Sequence, residues 1–241
     1  MIGLHFLIAI LLWRRRQVLT GLIISASLIL GTAKASPLPP SVHRGEQAAQ
    51  RLQDWQSLIA QSLHLSDAEK LQVVNAFFNR HIRYGEDTEV WGQVDYWASP
   101  RETLELGAGD CEDFALAKYF TLRLLGIPEQ HLRLVYSTLT STQQAHMVLG
   151  YWADEGKDPA LLDNLRPEVL PTLQRPDLQM QFAFDSGHLY RFGQNRLLAV
   201  GDAQLLPGWQ ALKAKMRQES IPLSNAIQLV VAEQLRLKLE I

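Results

Sequence analysis

The chain of 241 residues holds one cysteine, Cys111, inside the stretch Gly107-Ala-Gly-Asp-Cys-Glu-Asp-Phe-Ala-Leu-Ala-Lys-Tyr-Phe120. The two glycines allow a tight backbone approach. From Cys111 to Leu125, residues Phe114, Ala117, Thr121, Leu124 and Leu125 recur at helical spacing. The spacing predicts a helix with one buried face, ended by Gly126 and Pro128. Cys111 then falls in the first helical turn, where unpaired N–H groups and the positive dipole end favour a thiolate, the nucleophilic form. A free cysteine is often only a small buried hydrophobe. Here Asp110, Glu112 and Asp113 crowd it, and an apolar packing position does not tolerate such neighbours. The pattern marks a functional thiol.

The chain is long enough for one or two domains with a sizeable core. At 47% hydrophobic, 20% charged and a net charge of -2, it has no electrostatic case for binding nucleic acid. The N-terminus is a separate matter. Trp13-Arg14-Arg15-Arg16-Gln17 is basic, Val18 to Leu30 is apolar, and Ala33-Lys34-Ala35 followed by Ser36 fits a small-x-small cleavage site. Residues 1–35 are therefore expected to be a signal peptide cut after Ala35, with export to the periplasm. The apolar run is short for a membrane span, and an uncleaved anchor is the alternative. Arg15-Arg16-Gln17-Val18-Leu19 loosely fits a twin-arginine signal, so two export routes stay open. In an oxidising compartment cysteines normally pair. A lone one makes sense there if the thiol is used.

Residues 36–44 are expected to be a linker and 45–241 a single domain with a C-terminal helical region. Ala48 to Leu63 reads as a helix on Leu52, Trp55, Leu58 and Ile59. Ser66 and Glu69 form a capping box for a second helix that runs on Val73, Val74, Phe77 and Phe78 to about His81. Tyr84 to Asp95 reads as irregular. Trp97 either walls a cleft or packs in the core. Leu132–Leu139 and Ala145–Trp152 read as strands around a polar turn, and Ala160–Asn164 as a short third strand. Residues 180–184 and 188–192 form a hairpin about Asp185-Ser-Gly187. The tail, 208–239, reads as helix broken near Ile221-Pro222.

One helix thus starts with cysteine, one strand starts with His146, and the next strand ends with Asp163. A thiol protease needs those three parts. The thiolate attacks a carbonyl, the imidazole carries the proton, and the carboxylate fixes the imidazole's tautomer and orientation. Spacing alone also allows a satisfied strand histidine and a turn aspartate.

The pattern Asp95-x-Trp97-x-x-Pro100-x-Glu102-x-Leu104-x-x-Gly107-x-Gly109-Asp110-Cys111-Glu112-Asp113-Phe114-Ala115 closely resembles the bacterial transglutaminase-like cysteine proteinases. Lys118-Tyr119, Leu125-Gly126, His146-Met147-Val148-Leu149 and Leu162-Asp163-Asn164 continue it in order, over roughly residues 45 to 195. The resemblance implies an α+β, papain-like and transglutaminase-like fold with the catalytic helix packed on an antiparallel sheet. Carried over by position, it makes Cys111 the nucleophile, His146 the base and Asp163 the orienting acid. It further implies a calcium-dependent periplasmic endopeptidase. Such an enzyme cuts the N-terminal retention region of a large surface adhesin at a di-alanine site and so promotes biofilm dispersal. An inner-membrane cyclic di-GMP receptor of the LapD type sequesters it. Other readings stay open: acyl transfer to an amine, peptidoglycan amide cleavage, a non-enzymatic binding module, or a structural protein.

Local charge also points to a cation. Carboxylates at 110, 112 and 113 disfavour a thiolate between them. A hard divalent ion reverses that field. Asp110 and Glu112 are the expected Ca2+ ligands, matching the family's positions, with Asp113 either a third ligand or a helix cap.

Overall fold

The computed structural model describes residues 41–154, 156–193 and 197–219. The expected signal peptide, the linker up to Pro40 and the tail beyond Glu219 lie outside the described residues.

Helix α1, Ser41–Ser62, begins seven residues before its apolar spacing does; residues 41–47 hold a single large apolar residue, Val42, and offered no periodicity to read. Residues 41–44, assigned to the linker, are thus helical. Helix α2, Asp67–His81, opens on the Ser66–Glu69 capping box. Strand β1, Arg83–Tyr84, leads into the short helix α3, Asp87–Val90, in the region that reads as irregular. Helix α4, Pro100–Leu106, is capped by a second box, Ser99 and Glu102. It ends on Gly107 at φ 71°, a left-handed conformation that glycine adopts at no steric cost. Strand β2, Ala108–Gly109, pairs in parallel with β1, Arg83 opposite Ala108 and Tyr84 opposite Gly109. Neither short strand has an apolar alternation to signal it.

Helix α5, Cys111–Leu124, follows at once, with Asp110 as N-cap. Its burial is not confined to one face. Glu112 through Tyr119, Thr121 and Leu122 are all buried, because α5 is the central element. Strands β3, Leu132–Leu139, and β4, Ala145–Tyr151, pack on one side of it, and α2 and α4 on others; α1 reaches it through Trp55. Even Thr121 is used: its hydroxyl accepts the Trp55 indole N–H of α1 at 2.9 Å.

The sheet continues with β5, Ala160–Leu162; β6, Leu170–Pro171; β7, Leu178–Phe184; β8, His188–Phe192; and β9, Leu197–Asp202. The seven strands lie in the order β6-β5-β4-β3-β7-β8-β9 and every pair is antiparallel. In the centre Val135 faces Val148 across the β3–β4 ladder. They join Trp152, Leu161, Leu178 and Ala183 in a buried cluster. Helix α6, Pro207–Gln218, closes the described chain, its Trp209 and Leu212 buried. This is a mixed helix and antiparallel-sheet architecture of the expected class.

Candidate active site

Three chain segments converge on the start of α5. The first brings Cys111 itself. Asp110 accepts the N–H of Asp113 through Oδ1 at 3.5 Å, a long capping contact that starts the helix at the cysteine. Gly109 is required there: a Cβ on it would lie 2.6 Å from Asp113 Oδ2 and 2.7 Å from Asp113 Cβ. The thiol donates to Glu112 Oε2 at 3.2 Å. Burial pushes the Cys111 thiol well up, the Glu112 and Asp110 charges push the same way, and the Met147 backbone opposes them.

The second segment is β4, which packs on α5 and carries His146 at its second position. Opposite it across the ladder is Ser137, whose hydroxyl donates to the His146 carbonyl at 2.8 Å. The imidazole is buried, and its Nε2 lies 2.7 Å from Asp163 Oδ1.

The third segment is the turn after β5. The strand ends at Leu162, one residue earlier than an Asp163-ended strand would. Asp163 leaves the ladder because Oδ1 also accepts the N–H of Leu165 at 2.9 Å, a local side-chain turn. Its other oxygen accepts Arg175 Nη2 at 2.6 Å. Helix α2 holds the turn from outside: Asn79 Nδ2 donates to the Asp163 carbonyl at 2.8 Å and Asn75 Nδ2 to the Pro167 carbonyl at 3.0 Å. Burial pushes the Asp163 carboxyl up, but the His146 hydrogen bond and charge, the Leu165 N–H and Arg175 outweigh it. The carboxyl is held below the usual carboxylate range.

Sequence reasoning missed Arg175. It is buried, bonds Asp163, and is itself held by Asp177 through Nε at 3.0 Å and Nη2 at 2.8 Å. It sits in a segment with no periodicity to flag it. Lys118, two turns along α5 from Cys111, is also fully buried. Burial lowers its pKa to about 7, against the pull of Asp163.

The acids sort differently from the sequence expectation. Asp87, Asp110 and Glu112 are buried, and one oxygen from each lies within 4.8 Å of the others. Asp87 was not foreseen, since it stands far from Asp110 in sequence. The β1–β2 pair closes that distance, and Gly85 N–H donates to the Gly109 carbonyl at 3.0 Å. Asp113 is not in this cluster. Its Oδ1 accepts Ala98 N–H at 2.9 Å and its Oδ2 the Trp91 indole N–H at 3.3 Å. It ties down the segment before α4 instead. Trp97 packs rather than walls a cleft: it stacks on Phe184 with ring centroids 5.8 Å apart. Burial pushes Asp110 far up, reinforced by Glu112, Asp113 and Asp87. Three buried carboxylates with converging oxygens are the donor set of a hard divalent cation, so the residues present fit calcium.

Comparison with known proteins agrees with this geometry. The family model of the bacterial transglutaminase-like cysteine proteinases matches residues 46–182. Legionella pneumophila LapG in an EGTA-treated form is 34% identical, over 75% of this chain and 100% of that chain, with a TM-score of 0.63. The calcium-bound form of LapG from the same organism is 35% identical, over 70% of this chain and 91% of that chain, with a TM-score of 0.62. A comparison with curated proteins found no match. A thiol at the head of a buried helix, beside a strand histidine bonded to a buried aspartate, therefore has the company its chemistry calls for, and the chain belongs to the bacterial transglutaminase-like cysteine proteinases.

Proposed function

We propose that this cysteine protease is a calcium-dependent periplasmic endopeptidase that cuts a large surface adhesin within its N-terminal retention region, at a di-alanine site. The cut releases the adhesin and promotes biofilm dispersal. An inner-membrane cyclic di-GMP receptor of the LapD type holds the enzyme in check. The observation that carries the catalytic part is the buried His146–Asp163 pair beside the head of α5. The substrate, the compartment and the receptor rest on the family resemblance of the cysteine motif, with the basic and apolar N-terminal run as the sequence feature that suits export.

Cys111 is the nucleophile. Asp163 takes the proton-bearing Nε2 of His146, which leaves Nδ1 free of a proton and able to accept the one on the thiol. The sulfur then attacks the scissile carbonyl carbon. The imidazolium returns the proton to the leaving amine, and water, deprotonated by the same nitrogen, hydrolyses the thioester. Asp163 stays ionised throughout, balanced by Arg175 on its far side.

Asp87, Asp110 and Glu112 would hold the calcium ion. A bound dication would supply positive charge beside the thiol, where Glu112 and Asp110 otherwise oppose its ionisation. The calcium-bound form of LapG supports calcium as the ion.

The test is cleavage of purified N-terminal adhesin fragments by the mature chain, with calcium and with EGTA. A single cut between two alanines is expected, lost in EGTA and lost in Cys111→Ala. Cleavage by the Cys111→Ala variant would end the proposal, and full activity in excess EGTA would remove its calcium part.

A further inference from the structure

We infer that the C-terminal helix α6 braces the cation site, and that Lys215 is a positioning residue which sets how tightly Asp87, Asp110 and Glu112 hold their ion. The inference rests on the calcium reading above.

Residues 91–99 lie between the acid cluster and α6, and they form a turn, bends and irregular backbone outside both sheets. Their position is therefore set by what grips them from each side. On the inner side Tyr96 N–H donates to Asp87 Oδ2 at 2.6 Å, and Ala98 N–H donates to Asp113 Oδ1 at 2.9 Å. On the outer side the Lys215 ammonium donates to Tyr96 Oη at 2.8 Å, to the Trp97 carbonyl at 3.2 Å and to Glu102 Oε2 at 2.5 Å. It also lies 4.0 Å from the centre of the Tyr96 ring, within the range of a cation–π contact. Tyr96 is thus held at both ends. Its backbone fixes one oxygen of Asp87, and its side chain is fixed by Lys215 and by Glu102, whose Oε1 accepts the Tyr96 hydroxyl at 2.6 Å.

Two more contacts from the same end of the chain grip this segment. Gly208 lies flush on the Trp97 indole: a Cβ there would be 3.0 Å from Cδ2 and Cε2. Glu219 accepts the Ser99 hydroxyl at 2.8 Å. A carboxylate ligand performs best when its orientation is fixed beforehand by its hydrogen-bond partners. The route Lys215–Tyr96–Asp87 supplies that fixation from a helix that contributes no ligand itself.

Calorimetric titration of calcium into the full mature chain tests this, with wild type, Lys215→Met and Gly208→Ala side by side. Methionine keeps the apolar stem and removes the three donated bonds. The calcium Kd of Lys215→Met is expected to rise about tenfold, at the low end of what outer partners of a metal site are worth. Gly208→Ala, which pushes on Trp97 from the same helix, is expected to weaken binding as well and gives a second reading if Lys215→Met does not fold. In an Asp87→Asn background the Lys215 effect should vanish, because its route ends at Asp87. An unchanged Kd in the variants against a wild type that binds overturns this inference alone. No binding by the wild type overturns the calcium reading and the brace with it. An undiminished Lys215 effect in Asp87→Asn overturns the proposed route.

Discussion

Replacing Arg175 with methionine removes the guanidinium that balances Asp163 and leaves most of its volume in place. Nη2 of Arg175 lies 2.6 Å from Asp163 Oδ2, with side chains 1% and 0% exposed. Removing one partner of a buried pair costs about 3–5 kcal/mol, because the other charge stays buried. Asp163 keeps the N–H of Leu165 and His146, which places the expectation near the lower end, about 3 kcal/mol. The second partner, Asp177, is 35% exposed, so that pair is screened and adds about 0–1 kcal/mol. For a domain of this size a loss of that order lowers Tm by about 6–12 °C. Urea unfolding followed by tryptophan fluorescence measures it, with an unchanged slope as the sign that only stability moved. In an Asp163→Asn background the same Arg175→Met change is expected to cost much less, since no carboxylate is left unbalanced. A loss below about 1 kcal/mol, or the same loss in both backgrounds, would refute the reasoning and make Arg175 a packing residue.

Acid unfolding reports on the same group. A carboxyl held below its ordinary range contributes stability that is full above its unfolded pKa, about 4, and lost as pH falls below that. Asp163→Asn is therefore expected to be less stable at pH 7 and to show a shallower acid limb than the wild type; parallel curves would contradict the assignment. Asp87→Asn is expected to weaken calcium at least about tenfold, read by calorimetry, and an unchanged affinity would remove Asp87 from the ligand set. Gly109→Ala places a Cβ 2.6 Å from Asp113 Oδ2, so thermal unfolding is expected to show a loss of about 1–3 kcal/mol; a neutral substitution would mean that the head of α5 can shift at no cost.

The parts of the fold that bury a periodic face were legible in the sequence. Strand β3, Leu132–Leu139, appears where its run of apolar, β-forming residues places it and the core of β4 where alternation does, and the Ser66–Glu69 box starts α2 as its chemistry requires. The head of α5 was legible too, since the lone cysteine and its acids are local in sequence. What stayed hidden was assembled over long separations. The two-residue strands β1 and β2 carry no alternation, yet their pairing brings Asp87 to Asp110. Arg175 reaches Asp163 from beyond β6, after the chain has returned along β5. Asp113 looked like a third ligand because it is one residue from Glu112. A helix separates such neighbours by about 100° of rotation, and Asp113 turns instead to Ala98 and Trp91.

The all-round burial of α5 has a consequence for how the molecule opens. A helix on the surface exchanges its amide hydrogens through local fraying, but one enclosed on every side exchanges when the whole domain comes apart. The buried run of α5 from Glu112 to Tyr119 is placed in that last group to open. The half-buried nucleophile stands immediately before it. Loosening the thiol in order to admit a bulkier peptide therefore draws directly on the stability of the entire domain, and variants with altered cleavage preference should arise in the surrounding turns rather than along this helix.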